Sequence, residues 1–197
     1  VATHAVGDAA IDLVLDAYEA ANAESSIASS RWVIEHGFIP RSDQFPRMKD
    51  LGLTVSAQNH LYLAAPSLIE YWGEERAAWT TPVRAYLDNG IPLSLGTDSP
   101  VVPYDPWWVL HHFTTRETIS SGVVGADQRI SRDEALRSAT EGYAYLTFSE
   151  DHRGTLAVGK LADLAVTAEN YLTCADPCLE TMLIDITIVG GRIVWER

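Results

Sequence analysis

The sequence predicts a parallel α/β fold of the β/α-barrel type, followed by a small antiparallel β-unit. Three observations predict it. Strand-like and helix-like stretches alternate four times over the first hundred residues, as parallel strands joined by helical crossovers do. Three short apolar runs, at 1–3, 32–34 and 92–95, each lead into a residue able to bind metal: His4, His36 and Asp98. The 32 residues from His4 to His36 suit one helix plus one strand, and the 62 from His36 to Asp98 suit two more such units.

The elements follow in order. Residues 8–22 carry Ala9, Leu13, Ala17 and Ala20 at helical spacing, with Asp8 as the N-cap. A polar, small-residue linker (25–30) leads to a strand at 32–34, whose unbroken apolar run expects cover on both faces. A short helix over 45–51 stops at Gly52, and 53–57 form the third strand. An excursion through Tyr62, Tyr71 and Trp72 precedes a helix over 82–89, stopped by Gly90, and a fourth strand at 91–95. Residues 104–113 read as an aromatic helix. Ser131 and Glu134, three apart, form a capping box that opens a helix running towards Phe148. Beyond it, 154–156, 162–166, 184–189 and 192–195 read as short strands, separated by glycine turns at Gly159-Lys160 and Gly190-Gly191. The boundary therefore falls at 150, with 1–150 and 151–197 as the two regions.

Composition narrows the function. Hydrophobic residues at 47% and charged ones at 21% describe a globular chain able to bury a core. A formal net charge of -13 repels phosphate backbones and anionic headgroups, so nucleic-acid and membrane-surface partners are not expected. No apolar stretch reaches the roughly 20 residues of a membrane helix. Cys174 and Cys178 are too few for a disulfide framework and read as buried or loop thiols, which favours a reducing cytoplasm. The chain opens without Met, within two residues of an apparent strand interior, and so reads as a fragment, a processed chain or an incomplete reading frame.

Imidazole and carboxylate ligands delivered from strand ends to one mouth suit zinc or a similar divalent ion, one or two in number. His4, His36 and Asp98 are the candidate ligands, and Asp98 is also the candidate acid–base residue. The competing reading makes each histidine a hydrogen-bonded structural residue and Asp98 a turn residue within Gly96-Thr97-Asp98-Ser99-Pro100. Gln58 and His60, just past the third strand, are substrate-binding candidates, with a surface-loop histidine as the alternative. His111 and His112 fit helix packing, and His152 fits solvent. Glu35 alternates with His36, so it is expected on the opposite face, paired with Arg31 or a helix.

The segments His4-Ala5-Val6-Gly7-Asp8, Arg31-x-x-Ile34-Glu35-His36, Ser56-x-Gln58, Gly96-Thr97-Asp98-Ser99-Pro100 and Gly154-Thr155-Leu156-x-x-Gly159-Lys160-x-Ala162-Asp163-Leu164 resemble the metal-dependent amidohydrolase superfamily. The branch is amidohydrolase family 3, which includes N-substituted formamide deformylase-like enzymes. The resemblance implies the C-terminal half of a TIM-type (β/α)8 barrel, strands 5–8, followed by strands of a composite β-sandwich. It makes His4 the ligand after strand 5, His36 the ligand after strand 6, and Asp98 the ligand and general base after strand 8. Gln58 and His60 belong to the loop after strand 7, near substrate. The implied activity is hydrolysis of C–N, amide-type bonds of a small molecule by metal-activated water. The family's first four strands and their ligands are missing, so this chain is expected to be silent unless another chain, another copy or an absent portion supplies them. Two alternatives stand beside this reading: a non-catalytic ligand-binding or regulatory relative, and an esterase or lactonase using the same metal site.

Overall fold

A computed structural model describes residues 1–197. Four parallel strands, β1 (Ala2–Ala5), β2 (Val33–His36), β3 (Thr54–Gln58) and β4 (Leu93–Gly96), lie side by side in chain order. Their crossovers are helical. Helix α1 (Asp8–Glu24) joins β1 to β2, and α2 (Gln44–Asp50) joins β2 to β3. The last crossover holds α3 (His60–Trp72), α4 (Glu74–Ala78) and α5 (Val83–Asp88). Asp8 is the first residue of α1, not its cap. Gly7 caps with no side-chain bond, and the Asp8 carboxylate sits in the favourable first turn.

Register fixes what each face of the sheet carries. His4, Glu35, Ser56 and Ser94 align across the four strands, so their side chains share one polar face. Ile34, Val55 and Leu93 form a row of the opposite face and enter a core of 26 buried residues with Ala5, Ala57 and Leu95. Glu35 is thus on the same face as His4, against the expectation from alternation with His36. The reason lies in His36, whose φ of 77° breaks the alternation at the strand end. Nor does Arg31 pair with Glu35. Its guanidinium engages Glu150 and lies over the rings of Tyr145 and Phe148, tying the β2 entrance to the end of a later helix.

After β4, helix α6 (Pro106–Thr115) is capped by the Asp105 side chain and leads to a minimal hairpin, β5 (Glu117–Thr118) with β6 (Gly122–Val123). A 3-10 turn at Ala126–Gln128 precedes α7 (Arg132–Leu146), whose capping box between Ser131 and Glu134 is fully formed. Gly142 lets α7 lie directly on β4. A Cβ there would stand 2.1 Å from the Leu93 carbonyl oxygen. The strand expected at 154–156 does not form; Gly154 (φ 90°) packs against Ala144 and Glu141 as a turn under α7. The remaining strands, β7 (Leu164–Thr167), β8 (Ile184–Val189) and β9 (Arg192–Glu196), make the expected antiparallel sheet. Between β7 and β8, helix α8 (Asp176–Glu180) docks on α6 and contributes Leu179 to the main core. Cys174 and Cys178 are not free thiols. One turn apart with Cα atoms at 6.2 Å, they are within bonding reach and form a disulfide.

Candidate metal centre

The C-terminal ends of β2, β3 and β4 bring His36, His60 and Asp98 together. One donor atom from each lies within 4.8 Å of the other two. His36 is buried, whereas His60 and Asp98 are half-buried at the open side. Two of the three sit at the left-handed backbone, His36 at φ 77° and Asp98 at φ 60°. Such a conformation is unfavourable for a residue with a Cβ and is retained where surrounding structure enforces it.

Hydrogen bonding prepares the trio. The Gln58 amide donates from Nε2 to the Ser56 hydroxyl at 3.0 Å, which turns its Oε1 towards His36 Nδ1 at 2.6 Å. An amide oxygen only accepts, so Nδ1 of His36 carries the proton and Nε2 keeps its lone pair. His60 Nε2 lies 3.1 Å from Asp98 Oδ2. Burial pushes the His60 imidazole below its usual range, against the opposing pull of the Asp98 carboxylate. Its Nδ1 is buried with no partner. A neutral imidazole with unused capacity, a second imidazole with a free Nε2 and a carboxylate form a donor set that suits a borderline divalent ion.

The expected ligands divide unevenly. His36 and Asp98 are both in the compact group. His4 is exposed on β1 and stands beside it, its ring meeting that of His36 edge-on with centroids 4.5 Å apart. His60, read from the sequence as a substrate contact, occupies the third donor position instead. Gln58 lies behind His36 as its hydrogen-bond partner. Two further residues had no sequence signal. Phe38 closes one wall, 5.5 Å from the His36 ring and 4.9 Å from the His60 ring, and the Thr81 N–H holds its carbonyl. Asn59 is 1% exposed, and both atoms of its carboxamide lack a partner. His111 and His112 pack inside α6, and His152 faces solvent, as expected.

The model of the amidohydrolase family matches residues 1–195. The chain is 34% identical, over 205 residues, to the N-substituted formamide deformylase of Arthrobacter pascens; the alignment takes in 100% of this chain and 36% of that protein. It therefore spans about a third of the length of that curated relative. Among solved structures, a metal-dependent hydrolase of uncharacterized function from Pyrococcus horikoshii OT3 superimposes with a TM-score of 0.76 at 30% identity, over 90% of this chain and 35% of that one. The atrazine chlorohydrolase TrzN of Arthrobacter aurescens TC1, complexed with zinc, shares the fold with a TM-score of 0.65 at 21% identity, over 99% of this chain and 44% of that one.

Proposed function

This chain belongs to the amidohydrolase family, and from that membership we propose that it carries one side of a hydrolytic metal centre acting on C–N, amide-type bonds of a small molecule. The observation that carries the reading is the convergence of His36, His60 and Asp98 donors within 4.8 Å, with His36 held in a ligand-ready tautomer by Gln58. His4 adds a third imidazole, beside His36. A divalent ion bound there supplies a polarised carbonyl and a water acidic near neutral pH. Zinc is the proposed ion, supported by the donor set and by the zinc complex of the structurally similar chlorohydrolase.

Asp98 is the proposed general base. Its carboxylate accepts the proton of the attacking water and delivers it to the departing nitrogen, with His60 at 3.1 Å steadying the charge. Phe38 keeps the same corner apolar, which strengthens each of these electrostatic contacts. We read β1–β4 as strands 5–8 of an eight-stranded barrel and residues 151–197 as part of a β-sandwich. Four strands in chain order, with β1 and β4 as open edges, support this reading. Turnover on this reading requires the complementary four strands, from another chain, another copy or a further portion of the same protein.

Elemental analysis after equilibration with zinc tests the centre. About one ion per chain is expected, falling below a tenth in His36→Ala and Asp98→Ala. With the complementary strands supplied, substrates with matched leaving groups, N-substituted formamides against formate esters, test the bond class. A metal-free wild type overturns the centre, and turnover of esters alone overturns the C–N assignment.

A further inference from the structure

Away from the metal centre, α3, α6, the β5–β6 hairpin and α8 border an open pocket of about 540 Å³ lined by Tyr62, Trp108, Thr118, Ile119 and the partly exposed Glu117 and Glu180, among others. No lysine or arginine lines it, and neither glutamate is paired with one anywhere in the chain. Behind the two carboxylates is His111, 1% exposed. Its Nε2 lies 3.1 Å from Glu117 Oε2 and 3.4 Å from Glu180 Oε1, aligned with neither as a hydrogen bond, and its Nδ1 is also unpartnered. Even a protonated His111 offsets only one of the two negative charges, so the pocket keeps a net negative charge.

The walls suit the same ligand. The rings of Tyr62 and Trp108 are 5.5 Å apart, and the Tyr62 hydroxyl donates to Glu180, which orients that carboxylate. Aromatic faces attract cations through their quadrupoles, and a primary ammonium can donate to two carboxylates at once. Ile119, Val123 and the methyl of Thr118 leave an apolar side for a short alkyl chain.

We propose that this pocket is a binding site for a small organic ammonium ion, with Glu117 and Glu180 receiving the charged head and Trp108 and Tyr62 covering it. The site is independent of the metal-centre reading, because none of its walls comes from the donor trio.

Titration calorimetry of the metal-free chain with n-butylammonium chloride tests it, with butyrate and butanol as charge-inverted and neutral partners of equal size. Butylammonium is expected to bind at one site and the other two to bind at least about tenfold more weakly, since charge-assisted bonds carry the contact. Glu117→Gln and Glu180→Gln keep the shape and each should weaken binding about fivefold or more. Ile119→Lys places a cation at an exposed wall position, where folding is not at stake, and should abolish binding. Raising sodium chloride from 20 mM to 500 mM should weaken it, given the shorter screening length. Equal affinity for butanol, indifference to Ile119→Lys, or displacement of butylammonium by calcium at equal concentration would overturn the proposal.

Discussion

Oε1 of Gln58 stands 2.6 Å from Nδ1 of His36 and, because Gln58 Nε2 is committed to Ser56, it can only accept. The imidazole of His36 is thus oriented from a neighbouring strand before any ion arrives. Partners of this kind usually contribute about 10–100-fold in metal affinity. Gln58→Leu should lower zinc affinity by that factor, while Gln58→Glu retains it. Calorimetric zinc titration beside thermal melts checks the claim; unchanged affinity in Gln58→Leu contradicts it.

Gly142→Ala sets two effects of opposite sign against each other. Helix propensity alone favours alanine by about 1 kcal/mol. The new methyl, however, would stand 2.1 Å from the Leu93 carbonyl oxygen, so α7 must lift off β4. Overpacking of that kind costs about 1–3 kcal/mol, and backbone offers no rotamer to relieve it. Net destabilisation is expected in urea unfolding, and a stabilised variant would refute the close contact.

Arg116 is fully buried and donates to the carbonyls of Ala78, Thr80, Thr81 and Val124; no carboxylate touches it, and the charge of Asp127 offsets its burial only in part. Burial accordingly depresses its guanidinium to about 10. Arg116→Met fills similar space but strands those carbonyls, and should cost at least about 3 kcal/mol in chemical denaturation. Arg116→Lys cannot span the same four acceptors and should recover less than half of that loss.

Acid should weaken the fold in two steps. Burial, aided by the Arg116 charge, holds His112 well below its ordinary 6.5, and His60 is also held low by burial. A base depressed in the folded state loses stability as pH falls below its unfolded value, because the unfolded chain then binds the extra proton. Glu150, hydrogen-bonded to Arg31, is lowered from 4.5 to about 2, so its contribution is present above about 4.5 and fades as pH falls towards 2. Thermal melts from pH 7.5 to 3 should show both steps. His112→Gln should shrink the upper one and Glu150→Gln the lower one.

Local signals in the sequence carried most of the fold. Val33–His36, the Ser131/Glu134 box and the β8–β9 glycine turn each depend on a few adjacent residues, and each forms where those residues predict. The β5–β6 hairpin was not legible, because two residues per strand leave no periodicity to read. Site residues were legible by type more than by role. Nothing in Trp32-Val33-Ile34-Glu35-His36 announces the positive φ that returns His36 to the face of Glu35. Nothing local makes His60 converge on Asp98, 38 residues away. The pairing of Arg31 with Glu150, 119 residues apart, was equally out of reach of a neighbour-based reading.

The twisted backbone at positions 36 and 98 has an evolutionary consequence. Glycine there would relieve about 1–2 kcal/mol of local cost per position, yet would delete an imidazole and a carboxylate at a stroke. A library screened for heat resistance alone should therefore drift towards glycine at both sites, and its hardiest members would be the ones least able to hold an ion.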